Sequence, residues 1–321
     1  MKKGILIFMF ILVLIIILVL FRKSLYKPTI NLKKYDIDGY NELKNYTVTN
    51  YTEGGIPKII IKTSWHKREN IPIQIIDCLE ATKNLNPDYN VYYFDDDEVI
   101  QFMKEFSEEA YQMYMKLVPG AFKADFFRVC ILYKYGGCYS DIGHFFLKPL
   151  DEICEDANIV LVGDAKDFDV GIFRTDNVYY TGIHNAFMCS VPEHGFFKAI
   201  IYKIIENISI NYYGESSLDI TGPTMIGKLF NCYFSDKCNM VNKNMLVYGI
   251  NDYSKNTCVN CKVKMLKLYQ KIYDLKDTFY IVDQENTPLI QTKFDDYYYV
   301  MYNSVKKSKY GTLWDNHQVY H

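Results

Sequence analysis

The pattern of apolar and polar positions divides the chain into three parts. Gly4 to Phe21 is an unbroken apolar run of 18 residues, with Lys2 and Lys3 before it and Arg22, Lys23 and Lys27 after it. At the rise of an α-helix it extends about 27 Å, enough to cross a thin bilayer. The run ends in Leu20-Phe21-Arg22-Lys23, without the small-residue cleavage site of a signal peptide. An uncleaved anchor is therefore expected, ahead of a long signal peptide or a buried core helix. Cations on both flanks nearly cancel the positive-inside comparison, and the short tail, residues 1–3, favours a single-pass type II arrangement with the rest of the chain lumenal. Residues 22–54 are polar, lack a sustained period and lead into Gly54-Gly55, which reads as a stem. Residues 55–321 are expected to form one domain.

Within that domain, Ile56-Pro57-Lys58-Ile59-Ile60-Ile61-Lys62-Thr63-Ser64 is a β-branched run suited to a buried strand. A helix is expected over about Ile73–Leu85, closed by Asn86-Pro87, and a second strand over Asn90–Phe94. Two amphipathic segments follow, the second over about Ala121–Tyr135, where Gly136-Gly137 supplies the positive-φ residue that ends such a helix. Cys138–Asp141 then reads as a strand, as do Ile159–Val162, Val170–Phe173 and Ile183–Cys189. Glu193–Asn207 and Thr221–Phe234 read as helices. The C-terminal hundred residues have a weaker period and yield no element. Strands alternating with helices predict an α/β domain whose sheet is mainly parallel and flanked by helices.

Composition narrows the class only slightly. Apolar residues are 49% of the chain and charged ones 23%, which marks a globular protein. A formal net charge of -2 gives no electrostatic reason to expect a nucleic-acid partner. Cys232, Cys238, Cys258 and Cys261 form a local group ending in C-x-x-C. Disulfides in an oxidising lumen, unpaired thiols and a zinc knuckle all remain open from that spacing. Acceptor sequons at Asn45, Asn50 and Asn207 fit a lumenal face.

The densest polar constellation is Ala124-Asp125-Phe126-Phe127-Arg128, followed by Tyr135-Gly136-Gly137-Cys138-Tyr139-Ser140-Asp141-Ile142-Gly143-His144. Asp125 and Arg128 share one helix face. Asp141 ends the following strand on its carboxyl side, where open α/β sheets bind ligands. Arg128 is suited to fork two hydrogen bonds onto a phosphate or a sugar. A structural ion pair and a strand-terminal Asp are the alternative that pattern alone leaves open. Trp65-His66 follow the first strand, and Asp95-Asp96 follow the second, either as a helix cap or facing a ligand.

This constellation, with Ile56-Pro57-Lys58-Ile59-Ile60 and Asn86-Pro87-Asp88-Tyr89 upstream, resembles the family 32 glycosyltransferases. That DXD sugar-binding group includes the initiating α-1,6-mannosyltransferases. The resemblance runs from about Ile56 to Leu150, and more weakly through Asn185-Ala186-Phe187 and Thr221-Gly222-Pro223. It implies a GT-A-like, Rossmann-related fold and a nucleotide sugar donor. It also implies transfer of a hexose, with retention, to a glycan or glycolipid acceptor at a membrane. By the same resemblance Asp125 and Arg128 hold the donor sugar, and Asp141, matching the first Asp of the motif, contacts ribose and sugar. The second Asp, which in the family ligates Mn²⁺ or Mg²⁺, is Gly143 here. His144, or else Asp315 or His317, is the expected replacement ligand beside Asp141, unless cationic side chains neutralise the departing diphosphate instead. Trp65 is expected to stack on the base, and Trp314 to close over the donor. Gly143 keeps open the alternative of an inactive, membrane-tethered carbohydrate-binding protein of the same descent.

Overall fold

A computed structural model describes residues 29–32, 35, 37–46, 55–163, 182–234, 261–270, 279–292 and 310–321. The Gly4–Phe21 run, the Val170–Phe173 strand, Asn50, Cys238 and Cys258 lie outside those residues. Among the described residues no helix is long and apolar enough to cross a membrane.

The first three strands of the central sheet are parallel. β2 (Ile59–Thr63) pairs on one side with β4 (Asn90–Phe94) and on the other with β5 (Gly137–Ser140). Parallel neighbours need crossovers. α2 (Ile73–Leu85) makes the first, and α3 (Asp96–Phe106), α4 (Glu108–Lys116) and α5 (Gly120–Tyr135) make the second. Asp95 caps α3, its carboxylate accepting from the backbone N–H groups of Asp97 and Glu98 at 3.0 and 3.1 Å. The cap is thus the role the structure gives that acidic cluster.

Beyond β5 the sheet changes character. β8 (Phe187–Ser190) lies antiparallel between β5 and β7 (Ile159–Gly163). β9 (Val263–Gln270) is parallel to β7, and β10 (Phe279–Val282), β11 (Pro288–Gln291) and β6 (Phe145–Phe146) add an antiparallel edge. Three of the eight pairings in this sheet are parallel, so it is mixed and not mainly parallel. Periodicity identifies a strand but carries no information about its direction. The mixed sheet with helices on both faces otherwise fits the GT-A-like class.

Alternation along β2 sends Ile59 and Ile61 to one core and Ile60 to the other. The first core is filled by Phe122, Phe126 and Phe127 of α5, with α7 (Gly195–Ser209) and α8 (Pro223–Tyr233). The second is covered by Ile75, Ile76 and Leu79 of α2 and by Leu150 and Ile153 of α6 (Leu150–Cys154).

Two expectations change here. Part of the 22–54 segment is integral to the domain and not a free stem. β1 (Thr29–Ile30) pairs with β3 (Ile71–Pro72), α1 (Tyr40–Lys44) buries Tyr40 and Leu43, and Arg68 donates to the carbonyls of Ile37 and Asp38. The sequon at Asn207 is not on a surface. Asn207 is fully buried and donates to the Ile220 carbonyl at 2.8 Å.

Gly136 and Gly137 both take positive φ, 66° and 83°, where α5 ends and β5 begins. A Cβ on Gly137 would sit 2.7 Å from the Ile59 carbonyl oxygen of the neighbouring strand. Gly137→Ala is therefore expected to destabilise the protein by about 2–4 kcal/mol, from a strained backbone and an overpacked contact together. Urea unfolding of the variant measures this, and a change under about 0.5 kcal/mol, that of an ordinary surface substitution, would refute it.

Candidate active site at the end of strand β5

Arg128 leaves α5 inside the domain, only 5% exposed. Its Nε donates to the Ala124 carbonyl at 3.2 Å and one terminal nitrogen to the Asn185 carbonyl at 2.7 Å. The other terminal nitrogen lies 3.4 Å from both Asp125 Oδ1 and Asp141 Oδ1. The guanidinium sits 4.6 Å from the centre of the Tyr139 ring, whose hydroxyl donates to Asp141 Oδ1 at 3.0 Å. Tyr139 and Asp141 are two apart along β5 and its end, so they share a face.

The structure thus brings Asp125, Arg128 and Asp141 together, as expected, but gives them unequal access. Asp125 is buried, and its carboxylate accepts from Asn185 Nδ2 and Thr221 Oγ1, each at 2.9 Å. Both partners belong to the weaker stretches of the resemblance, and the role of each as a clamp on Asp125 was not legible in the sequence. Burial raises the Asp125 pKa to about 6, against the opposing pull of Arg128 and of those two hydrogen bonds. Asp125 is a positioning carboxylate here. Asp141 alone of the three keeps a side chain 36% exposed, facing outward from the strand end.

A residue the motif reading missed lies on the other face. Lys62 of β2 is fully buried, and its ammonium donates to Ser140 Oγ at 3.3 Å, the Asp141 carbonyl at 3.1 Å and the His144 carbonyl at 3.3 Å. The signal was present: a lysine in an otherwise apolar β-branched run is costly to bury without dedicated acceptors.

His144 does not take the place expected for a metal ligand. It is 2% exposed, with Nδ1 3.2 Å from Ser140 Oγ and its ring stacked 6.1 Å from that of His184. Burial first, then His184, Lys62 and Arg128, hold its pKa well below the ordinary range, so the ring is neutral. Asp315 and His317 are exposed near the C-terminus; neither is hydrogen-bonded or ion-paired to Asp141, and the His317 ring packs on Tyr213 at 4.6 Å. A dication would therefore find one carboxylate, already facing a guanidinium, and no side chain at 143. This donor set does not fit a metal held by the protein alone. Gly143 is not among the described glycines at positive φ.

The two tryptophans lie apart from this cluster in sequence. Trp65, half-buried after β2, stacks on His66 at 4.8 Å. Trp314, in the short helix Tyr310–Asp315, donates its indole N–H to the Tyr213 carbonyl at 2.7 Å. Of the C-terminal cysteine group, Cys261 Sγ is 3.1 Å from His194 Nε2.

Residues 72–160 match the family described as "Glycosyltransferase sugar-binding region containing DXD motif". Inositol phosphoceramide mannosyltransferase 2 of Schizosaccharomyces pombe is 28% identical over 180 residues, 56% of this chain and 47% of its own length. The initiation-specific alpha-1,6-mannosyltransferase of Candida albicans is 30% identical over 96 residues, 29% of this chain and 25% of its own. Uncharacterized glycosyltransferase L373 of Acanthamoeba polyphaga mimivirus is 25% identical over 241 residues, 71% of this chain and 92% of its own. The segment that carries Asp125, Arg128 and Asp141 is thus similar to a glycosyltransferase sugar-binding region containing a DXD motif, a motif that commonly binds a divalent metal. The matched stretches span less than half the length of the two mannosyltransferases named above.

Two outcomes follow from the buried pair. Arg128→Lys keeps the charge but cannot serve Asn185, Asp125 and Asp141 together, so it should lose about 2 kcal/mol or more of stability as well as activity. An unchanged melting temperature would contradict that geometry. Because the folded pKa of Asp125 is raised from 3.8 to about 6, its ionisation opposes folding, and this group favours stability most below about pH 4. A pH titration of ligand binding at this site is expected to show an acid limb near pH 6, as Asp125 is neutralised beside Arg128, and the limb should be absent in Asp125→Asn, whose residual binding is weak throughout.

Proposed function

We propose that this chain is a retaining hexosyltransferase that takes a nucleoside diphosphate sugar and transfers the hexose to a glycan or glycolipid hydroxyl at a membrane. The observation that carries this reading is Asp141. It is a partly exposed carboxylate at the carboxyl end of a central strand, braced by Arg128 and Tyr139 within a match to a sugar-binding family. The named relatives favour mannose as the sugar and a glycolipid or glycan as the acceptor. The apolar Gly4–Phe21 run supports a type II membrane anchor with the domain on the lumenal side.

In this reading Asp141 accepts hydrogen bonds from hydroxyls of the donor, and Arg128 fixes its orientation from behind. Asp125, clamped by Asn185 and Thr221, fixes Arg128 in turn. The acceptor oxygen bonds to the anomeric carbon as the bond from that carbon to the diphosphate oxygen breaks. The hydroxyl proton passes to the leaving diphosphate, and attack on the face from which it leaves retains configuration. Positioning of this kind supplies a large share of such a barrier reduction. Mn²⁺ or Mg²⁺, the cofactor implied by the motif, would be held chiefly by the donor's own phosphates, with Asp141 as the one protein carboxylate. Gly143 favours a second reading, a carbohydrate-binding protein without turnover.

Donor hydrolysis by the full chain separates the two readings. A panel of nucleoside diphosphate sugars, with Mn²⁺ and with excess chelator, should reveal turnover that Asp141→Ala reduces at least about 100-fold, the size of effect typical for loss of a well-placed polar group. The melting temperature should fall as well, because Arg128 and the buried Tyr139 hydroxyl each lose an acceptor, so turnover is compared at a temperature where the variant is fully folded. Binding without hydrolysis of any donor would favour the carbohydrate-binding reading. Expression in a eukaryotic secretory pathway tests the orientation: the exposed Asn45 should carry a glycan and the buried Asn207 should not. Protease digestion of the domain in sealed microsomes would rule the lumenal orientation out.

A further inference from the structure

The turn from Asp141 to His144 carries the position of the motif's missing second Asp, and its inner side is already occupied. The Asp141 carbonyl accepts from the His144 N–H at 3.0 Å, which closes the turn. The Asp141 and His144 carbonyls converge on the Lys62 ammonium, and the Ile142 and His144 carbonyls also accept from the Cys78 thiol at 3.3 and 3.2 Å. Backbone oxygens gathered around one point are a cation cradle, and here the cation is part of the chain.

The hydrogen-bond geometry fits a charged ammonium, although burial lowers the Lys62 pKa against the opposing pull of Cys78 and Asp141. An ammonium has three N–H donors, and Lys62 Nζ has three acceptors in Ser140 Oγ and the two carbonyls. The aromatic face of Phe146, 5.4 Å away, adds a fourth favourable side. The strand end then holds two anions, Asp125 and Asp141, and two cations, Arg128 and Lys62, which balance. An aspartate at 143 would tip that balance negative and call for a dication; glycine does not.

We propose that Lys62 is a built-in cation of this site: it aligns the Asp141–His144 turn, disfavours a free dication there, and favours the diphosphate of the donor. The inference deepens the donor-binding reading and rests on it for its second half only. Arg128 on one face of the sheet and Lys62 on the other flank the strand end that presents Asp141. The two buried cations offset the negative charge of Asp141, which a diphosphate approaching the strand end meets first, and so lower the repulsion that a metal would otherwise have to remove. Lys62 is buried behind the turn, so it acts as a positioning and electrostatic residue, not as a catalytic one.

The experiment measures Mn²⁺ binding to the full chain in detergent, without donor, by electron paramagnetic resonance of the free ion. Lys62→Met and Lys62→Gln are compared with wild type; the glutamine variant retains hydrogen-bond donors for the turn if the methionine variant does not fold. Removing the charge should tighten Mn²⁺ binding about tenfold or more, and Gly143→Asp combined with Lys62→Gln should tighten it further. In excess chelator, binding of GDP or UDP should weaken about tenfold in the same variants. A residue with a merely structural role would lower the melting temperature without tightening Mn²⁺. Folded variants whose Mn²⁺ affinity is unchanged or weaker overturn the proposal. If neither GDP nor UDP binds wild type, the donor reading fails, and the Mn²⁺ comparison alone decides the role of Lys62.

Discussion

Burying a guanidinium obliges a fold to surround it with acceptors, because an unpaired charge in that position costs several kcal/mol. Arg128 imposes that demand on the whole middle of this domain. Its acceptors come from its own helix at Ala124 and Asp125, from the end of β5 at Asp141 and from the segment before β8 at Asn185. Asp125 then needs partners of its own and finds them in Asn185 and in Thr221, just ahead of α8. Four segments far apart in sequence are thereby fixed relative to one side chain. The outermost member of the network, Asp141, is the one left facing solvent.

The strand geometry adds a second constraint. Because successive side chains of β5 point to opposite faces, Tyr139 and Asp141 meet Arg128 while Ser140 meets Lys62. The parallel pairing of β2 with β5 brings Lys62 level with the end of the motif, and Gly137 lets the two backbones approach closely enough for that pairing. The turn after β5 is therefore held from both faces. A loop held this way has little freedom to collapse onto a ligand, so its shape is largely set before a donor arrives, which lowers the ordering cost of binding.

The departure from the family motif is intelligible in these terms. Losing the carboxylate at 143 would leave an ordinary DXD site short of negative charge for its metal. In the arrangement we propose, the same change leaves two anions, Asp125 and Asp141, facing two cations, Arg128 and Lys62. The similarity to glycosyltransferases and the loss of the second Asp are thus compatible within one site.

Much of this was legible from residue order alone. The spans of α2, β4, α5 and α7 follow from apolar periodicity and from punctuation at Pro87, Gly136 and Pro192, which are local properties of the chain. The meeting of Asp125, Arg128 and Asp141 was legible too, because a helix fixes an i, i+3 pair and a strand end fixes the next residue. Strand direction beyond β5 was not, since alternation is the same whichever way a strand runs. The packing of residues 29–46 onto the domain, the clamp formed by Asn185 and Thr221, the burial of Asn207 and the withdrawal of His144 behind the turn were not legible either. Each depends on contacts between segments dozens of residues apart. The position of Lys62 is the clearest case: its sequence marks it only as a charge in an apolar strand. Pairing of β2 with β5, a long-range register, decides that three acceptors of the motif's own turn close around it.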